Sequence, residues 1–337
     1  APADRAVRSQ NMNQVSWTAI LGVAAALAAM PIVMTSNVAL NFVTFAGIIT
    51  IAAQGWNILA GYGGQFSFGH AAFFGTGAYA MALLQVRFGV NAWVALPIAI
   101  GLGGLVGGLV GLLSFRARLR GSYFALVTLA FAEVFRILAN AWTFTGGAAG
   151  VLVPLQVGTA NMQFADKRML YWFVLLFVVG GLCLTHMVSR SRFGAQLVAV
   201  RENEDAARAL GVDTLAVKLK AIVLSAAITA TAGSLYAQKF LYLDATIAYG
   251  PWISVDALLA PIVGGIGTVF GPLLGAVVLL GFGEVTKTIL GNLTGGAIPG
   301  IDLVLYGVLL ILTVAYAPRG ILGLLQGRSS ARHGGNP

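Results

Sequence analysis

Charged side chains are scarce in this 337-residue chain, at 9% of the total, where an ordinary soluble domain carries about 25%. That shortage excludes a hydrated surface large enough to enclose a chain of this size. Cysteine is nearly absent: the lone Cys183 can form neither an intrachain disulfide nor a Cys-rich metal site. Histidine is almost as rare, and His70, His186 and His333 are scattered without the spacing of a metal site or a base and nucleophile. A phosphate-binding loop is lacking too. The nearest lookalike, "GFGEVTKT" at 281–288, has no Gly directly before Lys287 and lies in an apolar run, so no motor motif is carried here.

Apolar residues fill the space left by charge: 58% of the chain is hydrophobic and the mean hydropathy is +0.87. Roughly 20 predominantly apolar residues span a bilayer core. Uncharged runs of that kind predict ten membrane helices, at 17–34, 38–60, 66–86, 92–115, 121–141, 169–188, 217–238, 252–270, 271–291 and 299–317. The expected fold is an all-α polytopic membrane protein with Gly-interrupted segments, forming a single transmembrane domain over 1–337. The first residues run basic, apolar, then small, as a signal peptide does. We expect the apolar run to be kept as the first membrane helix, behind a tail at 1–16.

A net charge of +9 would suit nucleic acid, yet no basic run is interleaved with aromatics. With the N-terminus placed in the cytoplasm, fourteen of the twenty Lys and Arg residues fall on inner loops and tails and four on outer loops. This is the positive-inside asymmetry, and it predicts that both ends, including the tail 318–337, are cytoplasmic.

Glycine is plentiful where it costs most. In "GLGGLVGGLVG", Gly103, Gly107 and Gly111 recur every fourth residue, as do Gly104 and Gly108, a stripe that lets another helix approach closely. In "GYGGQFSFGHAAFFGTGAYA" at 61–80, glycines break a membrane run beside Gln54, Asn57, Gly63, Gly64, Gln65, Ser67 and His70. "PIVGGIGTVFGPLLGA" at 261–276 repeats the pattern with Gly264, Gly265, Gly267 and Gly271, and Pro272 suits a helix's first turn. Unwound backbone at membrane depth is tolerated only inside protein or beside water. These residues are therefore candidates for a translocation path or gate; ordinary cytoplasmic turns, with polar groups bonding neighbouring helices, are the alternative. Glu133 with Arg136, and Glu284 with Lys287, lie three apart and are expected to form structural ion pairs. Asp256 and Asp302 are expected near the outer ends of their helices.

The longest inner loop, 189–216, contains "FGAQLVAVRENEDAARALGVD", which reads as one short surface helix. Glu202, Glu204 and Asp205 fall near its start, Arg208 toward its end, and Gly211 suits a left-handed cap. Ala206, Ala207 and Leu210 supply a small apolar face. Such a helix suits docking to a separate cytoplasmic motor; it equally suits a loop helix lying on the membrane.

From about residue 38 to 323 the chain resembles permease subunits of ATP-binding-cassette importers, of the branched-chain amino acid family and its longer-loop type. The carriers are "GYGGQFSFGHAAFFGTGAY", "RGSYFALVTLAFAEVFRIL", "TGGAAG", "RENEDAARALGVD", "PIVGGIGTVFGPLLGA" and "APRGILG", in that order. The resemblance implies that 201–213, with Arg201 through Gly211, is a coupling helix docking on an ATPase. Importers of this kind carry Glu-Ala-Ala, three residues, then Gly; here Asp205, Ala206 and Ala207 precede Gly211 at that spacing. It further implies a second similar permease, two ATPase subunits holding ATP and Mg, and an extracytoplasmic binding protein that touches the outer loop 142–168. This chain is then non-catalytic and binds no cofactor. The substrates implied are leucine, isoleucine, valine or other hydrophobic amino acids, with urea, amides or aromatic acids as the alternative. A channel, a secondary transporter and an intramembrane enzyme are the rival classes, and each would need a selectivity or catalytic constellation.

Overall fold

The computed structural model describes residues 16–34 and 36–294, with side chains through 286, and beyond them 300, 304, 307, 308, 311 and 320–323. In order, the helices are α1 (Trp17–Val33), α2 (Asn37–Trp56), α3 (His70–Phe88), α4 (Ala92–Arg116), α5 (Ser122–Ala141), α6 (Lys167–Arg190) and α7 (Arg192–Glu202). There follow α8 (Glu204–Ala209), α9 (Thr214–Phe240), α10 (Ala245–Ala248), α11 (Pro251–Gly264) and α12 (Gly271–Thr294). Short polar side chains fix where many of them start. Ser16, Ser36, Asn91, Asp166 and Asp213 each accept a bond from a first-turn N–H of the helix they precede, which satisfies donors no helical carbonyl can reach.

Six of the described segments are long and apolar enough to cross a bilayer, and the α1 and early α12 segments are shorter apolar helices. Three predicted boundaries move. The second segment does not stop near 60: α2 continues as a π-helical turn, Asn57–Tyr62. The third starts at His70, not at 66. The eighth does not run from 252 to 270: α11 ends at Gly264, because Gly265 and Gly267 hold φ of 137° and 72°, values foreign to a right-handed helix. Asp256 lies buried in the second turn of α11, not at its end. The tenth predicted segment, apart from single positions, lies outside the described residues, as do Asp302, residues 1–15 and, apart from 320–323, the tail 318–337.

The long α9 is central and packs on α4, α3 and α2. Its row of Ala226, Ala230, Gly233, Ser234 and Ala237 is buried. The α4 stripe meets it: a Cβ on Gly103 would lie 2.2 Å from Ala230 Cβ, one on Gly107 2.3 Å from Ala226 Cβ, and one on Gly111 2.5 Å from Ile222 Cγ2. The stripe therefore serves packing within this chain. The opposite flank of α4 exposes Leu105, Leu109 and Leu113, and α5 exposes Leu126, Val134 and Ile137, a surface suited to hydrocarbon or to another apolar helix. At the far end, Val151–Leu152 pairs antiparallel with Tyr242–Leu243. Buried Gln163 donates to Pro154 O at 2.9 Å and accepts from Gln156 N at 2.6 Å, so the 142–166 segment is folded onto the helix ends.

Candidate functional site

The break at 63–69 lies among helix interiors. Trp56 Nε1 donates to Ser67 O at 2.8 Å, and Phe68 N donates to Thr128 Oγ1 at 3.2 Å. His70 Nε2 and Ser225 Oγ are 2.9 Å apart, and Ala71 N donates to Ser254 Oγ at 2.9 Å. Thr128, Ser225 and Ser254 belong to α5, α9 and α11, so protein groups satisfy the unwound backbone where lipid could not. Gln54 Nε2 donates to Val178 O at 3.1 Å. Gln54, Asn57, Ser67 and His70 are at most 1% exposed, and the side chains of Gln54, Asn57 and His70 bond groups on other segments. Gln65 is half-buried and donates to Gly63 O at 3.2 Å.

Asn57 joins this break to the second one. Its Nδ2 donates to Thr268 O at 2.9 Å, and its Oδ1 accepts from Gly267 N at 2.8 Å. Thr268 then braces the loop, donating to Gly265 O at 2.7 Å and accepting from Gly271 N at 3.0 Å. Close approach demands glycine here: a Cβ on Gly61 would stand 2.3 Å from Asn57 Oδ1 and 2.7 Å from Gly267 N. A third segment reaches the same point. Arg201, in the last turn of α7, donates from Nη1 to Gly61 O at 2.8 Å, and its stem fills the space that a Cβ on Gly64 would enter, 2.5 Å from Arg201 Cγ.

The 193–213 stretch is two helices, not one. Asn203 is extended, with φ −158° and ψ 106°, and its Oδ1 accepts from Asp205 N at 3.1 Å and Ala206 N at 3.0 Å, so it caps a new helix, α8. Glu202 consequently closes α7 and pairs with Arg201 at 2.7 Å; it does not belong to the start of α8. The expected apolar face divides as well: Ala207 is buried, while Ala206 is exposed and Leu210 is 86% exposed. Gly211 does take the left-handed cap, at φ 87°.

A charge network fixes α8. Glu204 accepts from Lys218 Nζ at 2.9 Å and Arg208 Nη2 at 3.1 Å, and Arg120 Nε lies 3.3 Å away. Arg120 also binds Asp205 at 3.1 Å. Burial pushes the Glu204 pKa up, but Lys218, Arg120 and Arg208 outweigh it and hold the carboxyl below its ordinary range. The hydrogen bond from Arg120 lowers Asp205 likewise. Lys218 is buried on α9, 5.0 Å from the centroid of the Phe115 ring. Sequence reasoning passed over Arg120, Lys218 and Thr268: Arg120 meets Asp205 across 85 residues and the Thr268 carbonyl meets Asn57 across 211, while Lys218 reaches Glu204 from a neighbouring helix. Glu133 and Arg136 are paired, with Nε to Oε2 at 2.9 Å; the Lys287 side chain lies outside the described residues. Among the described residues no trio of His, Cys, Asp or Glu could hold a metal.

Apolar flanks, two clasped glycine breaks and a charged helical hairpin at one end define a multi-pass membrane permease. Residues 38–314 match the family described as the permease component of the branched-chain amino acid transport system, and the chain belongs to that family. It is similar to the high-affinity branched-chain amino acid transport system permease proteins LivM of Salmonella typhimurium and Escherichia coli. Identity to each is 29% over 330 residues, covering 89% of this chain and 74% of the relative. The corresponding protein BraD of Pseudomonas aeruginosa is 26% identical over 300 residues, covering 84% of this chain and 94% of BraD. No solved structure matches the chain.

Proposed function

We propose that this chain is the transmembrane permease subunit of an ATP-driven importer that moves branched-chain or other hydrophobic amino acids across the cytoplasmic membrane by alternating access. The family match over 38–314 carries this reading. Two ATPase subunits supply ATP and Mg chemistry, this chain holding no cofactor; a second permease and an extracytoplasmic binding protein complete the assembly. Both termini face the cytoplasm, and the folded 142–166 segment meets the binding protein.

Force enters at α8, where exposed Leu210 projects from a helix anchored by Glu204. From there it passes through α7 to Arg201, to the Gly61 carbonyl, and through Asn57 to Gly267 and Thr268. The two breaks then move as a unit and gate the path.

Leu210 makes little contact within the chain, so Leu210→Glu leaves the fold intact and tests docking directly. In vesicles holding the full assembly, the variant is expected to lose ATPase co-purification and at least ~10-fold of uptake, the scale of one lost interface anchor. Undiminished uptake that persists without ATPase subunits would instead identify a channel or secondary transporter.

A further inference from the structure

A cavity of about 330 Å³ opens beside α8, between the end of α4 and the start of α9. That is within the range of small-ligand sites, about 300–1,000 Å³. Arg116, Arg118, Arg120, Arg208 and Lys218 line it, against only Glu204 and Asp213 as acids. Glu204 is already engaged by Lys218, Arg208 and Arg120, and Asp213 caps α9 through Ala216 N. Arg116 and Arg118 are exposed, and no ion pair among the described residues includes either. Arg118 also sits at φ 57°, closing α4 in a left-handed cap in which Leu119 N bonds Ser114 O at 3.2 Å. Glycine normally takes that place, so an arginine there has a cost that its backbone role does not explain.

We propose that this cavity binds the phosphate of an anionic phospholipid headgroup. Its position selects a lipid over a free anion. Leu112 and Leu113 stand within the turn before Arg116 on α4, Tyr123 and Leu126 follow Arg120 in the first turns of α5, and all four are exposed, so along both helices the surface passes from apolar to cationic as a bilayer passes from acyl chain to headgroup. Basic pockets between helices at the cytoplasmic surface suit such headgroups. Bridging Arg116 and Arg118 to Arg208, the phosphate steadies α8 against the membrane. That consequence rests on the docking role proposed above; the binding itself does not.

Native mass spectrometry of the purified full chain, with phosphatidylglycerol, phosphatidylcholine or inorganic phosphate added separately, tests this. The native chain is expected to retain phosphatidylglycerol at least ~5-fold over phosphatidylcholine, since basic side chains at a membrane surface favour anionic headgroups. Arg116→Gln with Arg118→Gln should abolish the preference, and Arg118→Gly, which suits the backbone and so preserves the fold, should weaken it. Arg87→Gln, at the last turn of α3, should leave it unchanged. Equal retention of both lipids, or full preference in the double variant, overturns the proposal. So does phosphate bound without lipid, or loss of ATPase co-purification in the double variant with lipid retention intact, which would make the cavity a protein contact.

Discussion

Asn57 carries the junction because one amide closes both a donor and an acceptor of the opposite break. Asn57→Ala would remove the side-chain partner of the half-buried Gly267 N–H and Thr268 carbonyl, each worth about 0.5–1.5 kcal/mol as a net hydrogen bond; thermal unfolding in detergent should show a lower midpoint. Glu204 gives a pH signature. Its pKa is lower in the folded chain, so its stabilisation is complete above the unfolded value of about 4.3 and vanishes as pH falls through the folded value. The melting gap between native chain and Glu204→Gln should therefore be present at neutral pH and close in acid. The glycines at 264, 265 and 267 were legible as a break because a Gly cluster in an apolar run has few other uses. The Asn57 clasp was not legible, since its partners lie 210 and 211 residues away and nothing local marks them.

Helix contacts follow from spacing more directly. The every-fourth-residue glycines of α4 announced a close partner, though not that the partner is α9. Gly107→Ala places a methyl 2.3 Å from Ala226 Cβ, whereas the nearest atom to a Cβ on Gly104 is 3.7 Å away. Gly107→Ala should therefore lower the melting midpoint, while Gly104→Ala should keep or raise it through a helix-propensity gain of up to about 1 kcal/mol; parallel melts of the two variants separate the outcomes. The division of 193–213 into α7 and α8 escaped the sequence because helix-forming residues flank Asn203 on both sides. What decides it is the pair of cap bonds that Asn203 makes with α8, a signal hidden within a run of charge. The charge placement read from sequence, acids early and Arg208 late, holds for α8 once Glu202 is assigned to α7.

At the scale of the molecule, the bundle joins a charged hairpin at one end to two unwound segments within its helices, and Arg201 is the link between them. The membrane class and family were readable from composition and ordered motifs; the Arg201 contact was not, because it meets Gly61 across 140 residues. In the proposed mechanism, force applied to α8 reaches the breaks through this residue. Its most direct test is ATP-dependent amino acid uptake, with ATP hydrolysis, in vesicles containing the full assembly with native chain or Arg201→Gln. ATPase subunits should remain bound and hydrolyse ATP, since the α8 surface is unchanged, while uptake falls ~10-fold, the scale of about 1.4 kcal/mol of lost coupling. Uptake and hydrolysis both at native levels would contradict the link and leave the gate driven by another route.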